Sequence, residues 1–166
     1  MGNYDGLEEF VAARGNAVLR FAVLLAGSRD AGEDLFQQGL ERLVRHWSRI
    51  DGSPEAYLRQ TLSRLAVDRW RWRSRHKEQY GEMPAVPVAD RTGDVDLRDA
   101  LMRALGTLPP RQRAVIVLRH WEQLSEQETA AALGCSVGTV KASGSRGLAT
   151  LRASLGAHAL VGEDPS

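Results

Sequence analysis

The sequence predicts an all-α fold of two small helical domains joined by a flexible linker, with a helix-turn-helix in the C-terminal domain. Apolar residues recur at the three- and four-residue spacing of amphipathic helices, and no segment shows the alternation of a strand. Residues 81–93 contain two prolines and two glycines without periodicity, which is typical of a linker. We therefore assign residues 1–80 to one domain, 94–155 to a second, and 156–166 to a loosely ordered tail.

The first domain is predicted to contain three helices. Apolar positions at helical spacing run through Gly6–Leu25, and a Gly-Ser pair follows. Asp30, with Glu33 three residues later, is predicted to cap a second helix that ends near Trp47. A third helix is expected to begin at Pro54, because proline is favoured in the first helical turn.

The third helix runs into a strongly basic segment, Arg64–Lys77. Six of its side chains are Arg or Lys, and Asp68 is its only acid. Trp70 and Trp72 lie among the arginines, and we expect one to pack inward and the other to be accessible. Arginine for phosphates with an aromatic ring for base stacking is the chemistry of single-stranded nucleic-acid binding. The alternative is a solvated basic helix end with both tryptophans in the core.

The second domain is predicted to contain helices over Asp94–Leu105 and Pro109–His120, followed by the helix-turn-helix. Ser125 and Glu128 have the spacing of a capping box, which opens a short apolar helix. Gly134 can adopt the positive φ that ends this helix in a tight turn.

The second helix of this motif is predicted to begin after Ser136 and carries Lys141 and Arg146. Such a helix can enter the major groove of DNA. An ordinary αα-hairpin is the alternative, but the capping box, the glycine turn and the small-plus-basic second helix together favour DNA binding.

The charge is distributed unevenly along the chain. The net charge is +1, but residues 61–80 carry +4 and residues 109–155 carry +3, in an otherwise acidic chain. No stretch of 18 apolar residues and no signal peptide is present, so we expect a cytoplasmic protein without a membrane contact. The single Cys135 and the scattered histidines predict no disulfide, no metal, no cofactor and no catalytic site.

With these motifs, the chain resembles the sigma-70 family of RNA polymerase sigma factors, in its small two-domain extracytoplasmic-function (group 4) form. The segment Leu108–Lys141, LPPRQRAVIVLRHWEQLSEQETAAALGCSVGTVK, looks like region 4. Asp30–Trp47 is similar to region 2.2, and Ala56–Arg75 to regions 2.3 and 2.4. The resemblance implies a factor that binds core polymerase and directs promoter recognition and melting, without being an enzyme.

The resemblance also implies residue roles. The positions that match the family's docking surface for the β′ clamp helices are Glu33, Asp34, Gln37 and Gln38. Those that match contacts to the melted minus-ten element are Arg64, Asp68, Arg69, Trp70, Arg71 and Arg73. Those on the helix that reads the minus-thirty-five duplex are Thr139, Lys141, Ala142, Ser145 and Arg146. Arg111, Arg113 and Arg119 match positions that lie near DNA phosphates or the β flap. The linker, residues 81–93, matches the segment that passes through polymerase near the RNA exit path.

The chain departs from the family pattern at three places. Gln38 replaces a frequent Glu, and Arg64 replaces a frequent Asn. After Gly-Thr-Val-Lys, where the family usually has Ser and often then Arg, this chain has Ala142-Ser143-Gly144, which puts a glycine inside the recognition helix. A helical glycine costs about 1 kcal/mol relative to alanine unless it permits a close backbone approach.

Two other function classes remain open at this point. A helix-turn-helix regulator could bind operators without polymerase, although no dimerisation helix is evident and residues 1–80 would lack a role. A sigma-like interaction protein that sequesters another factor is a second alternative, which the basic segment disfavours. Control by a separate anti-sigma protein is compatible with the short tail.

Overall fold

The computed structural model describes residues 4–76 and 96–161, and the predicted linker lies outside them. Within these ranges every regular element is helical. The N-terminal half (residues 4–76) contains α1 Leu7–Ala26, α2 Arg29–His46, a 3₁₀ turn Trp47–Arg49 and α3 Pro54–Arg75. The C-terminal half (residues 96–161) contains α4 Asp96–Thr107, α5 Pro110–Ile116, a π-helical turn Val117–Trp121, α6 Glu126–Leu133 and α7 Val137–Val161.

Several helix boundaries follow the predicted capping chemistry. Pro54 opens α3, and the hydroxyl of the preceding Ser53 accepts a hydrogen bond from the Ala56 amide at 3.2 Å. Ser125 accepts from the Glu128 amide at 3.1 Å, and the Glu128 carboxylate accepts from the Ser125 amide at 2.7 Å. These bonds complete the predicted capping box.

Other boundaries differ from the prediction. The cap of α2 is Ser28, whose hydroxyl accepts from the Ala31 amide at 3.3 Å, so Asp30 is instead a first-turn acid. Helix α4 continues past the predicted stop to Thr107. Helix α7 continues through Val161, so the first residues of the predicted tail (156–166) are helical.

The helices of the N-terminal half approach one another closely at two glycines. A Cβ on Gly32 would lie 2.5 Å from the Cα of Val23, which is backbone that cannot give way. A Cβ on Gly39 would lie 2.6 Å from Leu62. Gly32 therefore permits the crossing of α1 and α2, and Gly39 that of α2 and α3.

The two halves pack against each other through α1 and α3 on one side and α4 to α6 on the other. Their buried apolar residues form one continuous cluster, with Phe21, Leu25 and Leu62 from the first half and Leu108 and Val115 from the second. The all-helical fold predicted from the sequence is present, and the structure adds a direct contact between the two halves.

Candidate nucleic-acid and polymerase interfaces

The basic segment of α3 presents its charges on the surface. Arg64 and Asp68 are exposed, while Arg69, Trp70 and Arg71 are half-buried. The helix therefore places five of the six predicted minus-ten residues at the surface of α3, and the side chain of Arg73 lies outside the described residues.

The two tryptophans of this segment differ in accessibility. Trp72 is 49% exposed, and its ring stacks on His76 with 4.6 Å between centroids. Trp70 is half-buried, and the guanidinium of Arg111 lies 4.8 Å from its ring centroid. Neither ring is in the core, so the accessible aromatic that we expected is Trp72, which the predicted set of minus-ten residues omits.

A basic cleft that the sequence analysis missed lies beside Arg64. It has a volume of about 450 Å³ and is lined by side chains of α2 and α3: Arg42, Arg45, His46, Tyr57, Gln60, Thr61 and Arg64. Among the described residues no carboxylate pairs with any of its three arginines. The cleft thus combines unpaired positive charge with the ring of Tyr57. The three-residue spacing of Arg42 and Arg45 was the sequence signal that could have found it.

The predicted docking surface lies on one exposed face of α2. Glu33, Asp34, Gln37 and Gln38 are all exposed, at the i, i+1, i+4 and i+5 positions that share a helix face. Arg29 pairs with Glu33 at 2.9 Å. The Asp34 carboxylate lies 3.9 Å from the guanidinium of Arg69 on α3, so the predicted docking surface adjoins the predicted minus-ten surface.

The recognition helix α7 begins with a side-chain cap. The Ser136 hydroxyl accepts from the Thr139 amide at 3.1 Å and lies 2.9 Å from the Thr139 hydroxyl. The Thr139 side chain is therefore engaged in the cap. The assignment of Thr139 to the minus-thirty-five contacts stays a prediction.

The remaining predicted residues of α7 form one exposed row: Lys141, Ala142, Ser145 and Arg146. The Lys141 ammonium lies 3.7 Å from the Glu126 carboxylate, and the Lys141 side chain is 67% exposed. A long exposed pair of this kind is worth little, so Lys141 can leave Glu126 for a phosphate or a base edge.

The glycines of α7 have different surroundings. A Cβ on Gly144 would make ordinary contact with Val115 at 3.4 Å, so no close approach explains this glycine. A Cβ on the buried Gly147 would lie 3.0 Å from Ile116. The close approach of α7 to α5 therefore depends on Gly147.

The sequence matches two family models that together span most of the chain. Residues 10–76 match Sigma-70 region 2, and residues 98–151 match Sigma-70, region 4. This chain belongs to the sigma-70 family. The resemblance stated from its motifs is confirmed, and with it the all-helical fold of two domains.

Relatives of this sigma factor cover nearly its whole length. An RNA polymerase sigma-E factor of Streptomyces coelicolor is 41% identical over 162 residues, which are 96% of this chain and 92% of the relative. The ECF RNA polymerase sigma factor SigE of Mycolicibacterium smegmatis is 34% identical, across 91% of this chain and 62% of that protein. The sigma factor RpoE of Bartonella quintana, solved with the anti-sigma factor NepR, has a TM-score of 0.67 at 26% identity, covering 90% of this chain and 96% of that one.

The three arginines of α5 and the π-helical turn do not form one surface of the sigma factor. Arg113 is only 8% exposed, so our expectation of a phosphate or flap contact for it is wrong in this structure. Its guanidinium donates to carbonyl oxygens of both halves instead. Arg119 donates to the Leu124 carbonyl oxygen, and Arg111 lies over Trp70.

No cluster of three metal-ligating side chains occurs within residues 4–76 and 96–161. In the same ranges, no helix is long and apolar enough to cross a membrane.

Proposed function

We propose that this sigma factor divides promoter recognition between its halves. Residues 1–80 dock on core RNA polymerase and hold melted minus-ten DNA, while residues 94–155 hold the upstream minus-thirty-five duplex. The observation that carries the proposal is the presence of two separate basic surfaces, the arginine-tryptophan face of α3 and the exposed row of α7. Neither surface needs to bind tightly alone, because tethering to polymerase raises the effective concentration of each.

The surface of α3 suits an unpaired strand. Its arginines can contact phosphates, and Trp72 is 49% exposed. Stacking of a base on an aromatic ring is worth on the order of 1–3 kcal/mol per base. The cleft of Arg42, Arg45 and Arg64 extends this basic track toward Tyr57. We infer that a melted strand follows α3 into this cleft.

The surface of α7 suits duplex DNA. Lys141 and Arg146 can contact guanine or phosphates, and Ala142 offers an apolar contact to a thymine methyl group. The small residues along the row let the helix backbone approach the base edges. We assign Lys141, Ala142, Ser145 and Arg146 to base and phosphate contacts. Thr139 belongs to the same proposed set, and its amide also donates to the Ser136 cap.

Core polymerase is the proposed protein partner. The acidic and amide face of α2 (Glu33, Asp34, Gln37 and Gln38) would meet the β′ clamp helices, and the C-terminal half would meet the β flap. We expect this sigma factor to act in the cytoplasm. Sigma factors as a class are not enzymes, and we assign no catalytic role to this one. An anti-sigma protein is the expected class of regulator, since RpoE of Bartonella quintana binds one.

Run-off transcription tests this function. Purified core polymerase, the sigma factor and a pool of genomic promoter fragments are combined, and the transcripts are sequenced. Discrete transcripts that require the sigma factor, and that share upstream motifs, are expected. Duplex binding by the protein alone without any transcripts would instead support an operator-binding regulator.

A further inference from the structure

A carboxylate lies beside one cation of the predicted recognition helix. The Lys141 ammonium is 3.7 Å from the Glu126 carboxylate, and the Lys141 side chain is 67% exposed while that of Glu126 is 33% exposed. Glu126 is the first residue of α6, and Lys141 lies one turn into α7. The pair therefore joins the two helices of the helix-turn-helix at the exposed row of α7.

The carboxylate is the more firmly placed member of this pair. The capping box at the start of α6 fixes the backbone on which Glu126 lies, and Arg119 donates to the Leu124 carbonyl oxygen just before it. The helix dipole also favours an acidic side chain in the first turn. Lys141, by contrast, has a flexible four-carbon stem that is mostly in solvent. Glu126 thus sets the position of the ammonium.

This pairing is not shared by the other cation of the same row. Arg146 is exposed, and among the described residues no carboxylate pairs with its guanidinium. An unpaired cation can contact any phosphate, which adds affinity without regard to sequence. The carboxylate beside Lys141 restricts what that ammonium can contact.

The restriction follows from the donors and charges of the pair. An ammonium group has three N–H donors, so Lys141 can face Glu126 and still donate to the O6 and N7 acceptors of a guanine. If Lys141 turned to a phosphate instead, Glu126 would be left unpaired beside the DNA backbone. Two negative groups at short range repel each other, more strongly where DNA has displaced water. The pair therefore penalises the contact that carries no sequence information.

We propose that Glu126 is a specificity-determining residue, which positions Lys141 toward a base edge and makes its contact with phosphates unfavourable. This inference rests on the proposed role of α7 in holding the minus-thirty-five duplex. The exposed pair is weak in water. Its effect arises in the complex with DNA, where an unpaired carboxylate acts against every sequence that offers Lys141 no base acceptor.

The test compares two promoter duplexes that differ only in the minus-thirty-five element, one native and one scrambled. Holoenzyme with the full-length sigma factor carries Glu126→Gln, and its affinity for each duplex is measured by competition. Glu9→Gln is the matched control, because Glu9 is an exposed acid on α1 and the charge change is identical. Both substitutions are also made in a Lys141→Ala background, which completes a double-mutant cycle.

We expect Glu126→Gln to lower the ratio of native to scrambled affinity about fivefold, because binding to the scrambled duplex becomes tighter while binding to the native duplex stays within about twofold. Glu9→Gln should leave the ratio within about twofold. In the Lys141→Ala background, Glu126→Gln should also leave it within about twofold, since there is no ammonium to position.

An equal gain on both duplexes would overturn the proposal, because Glu126 would then only repel DNA. A fivefold loss of the ratio that persisted without Lys141 would overturn it as well. The wild-type holoenzyme separates these results from failure of the proposed function. A wild-type protein that prefers the native duplex retains that function whatever Glu126 does, whereas one without any preference contradicts both.

Discussion

The guanidinium of Arg113 donates a 2.6 Å hydrogen bond to the carbonyl oxygen of Ala26, 87 residues earlier in the chain. The same group donates to carbonyl oxygens of Leu105 at 2.8 Å and Leu108 at 2.9 Å. One cation thus caps the carbonyl ends of α1 and α4, where the helix dipoles favour positive charge. Burial lowers the pKa of Arg113 to about 10, so the group stays charged at neutral pH.

Arg113→Met tests the energetic weight of this double cap. The substitution keeps an apolar stem but leaves buried carbonyl groups without a donor, so we expect a loss of about 2–4 kcal/mol in the free energy of unfolding. Urea denaturation followed by circular dichroism measures it. Arg152→Met removes the same charge from an exposed position of α7, where we expect a change below about 0.5 kcal/mol. Similar values for the two variants would contradict the assigned role.

We expect Glu55 to contribute to the acid stability of the N-terminal half. The hydrogen bonds from Arg14, opposed by partial burial and assisted by Arg59, hold the pKa of Glu55 below its ordinary value of 4.5. A carboxylate whose pKa is lower in the folded than in the unfolded protein contributes its full stabilisation at pH values above its pKa in the unfolded protein. This stabilisation is lost as the pH falls through the pKa of the group in the folded protein.

We therefore expect Glu55→Gln to lower the stability at pH 7 and to flatten its decline between about pH 5 and pH 3. Thermal denaturation across this range measures both effects. Glu9→Gln removes an exposed charge from α1 and should retain the decline of the wild-type protein. If the stability of Glu55→Gln declined with falling pH as steeply as that of the wild-type protein, Glu55 would not contribute to this decline.

The glycines of α7 give opposite predictions. Gly144→Ala adds a methyl group in ordinary contact with Val115 and removes the helical penalty of glycine, so it should stabilise the protein by about 0.5–1 kcal/mol. Gly147→Ala places a methyl group 3.0 Å from buried Ile116, so overpacking should outweigh the helical gain, with a net loss of about 1–2 kcal/mol. Melting temperatures measure both changes. A higher melting temperature for Gly147→Ala than for Gly144→Ala would contradict the packing of α7 against α5.

Local features of the fold could be read from the sequence because their causes are local. The Ser53–Pro54 helix start and the Ser125–Glu128 capping box involve partners three residues apart or fewer. The turn at Gly134, with φ of 62°, required only a glycine between two helical patterns. The exposed rows on α2 and α7 followed from helical periodicity once the helices were placed.

Contacts between distant segments could not be read in this way. Nothing local distinguishes Arg113 from Arg111, yet the first is buried against α1 and the second lies over Trp70. The basic cleft needs Arg42 and Arg64 on two helices whose crossing depends on Gly39. Glycine is needed at position 147 but not at position 144, and this difference likewise became visible only when α7 was placed beside α5.

The proposed division of promoter recognition requires the two halves to contact DNA in different states, and a comparison of two variants distinguishes these contacts. Holoenzyme containing Lys141→Ala or Arg71→Ala is assayed on a promoter obtained by run-off transcription, with Arg20→Ala as an exposed charge-matched control on α1. Duplex binding is measured on an upstream fragment, and melting by permanganate reactivity of minus-ten thymines. We expect Lys141→Ala to weaken duplex binding about tenfold. Arg71→Ala should leave duplex binding within about twofold and reduce permanganate reactivity, because Arg71 is proposed to contact the single strand. Equal loss of duplex affinity in both variants would contradict the division of labour.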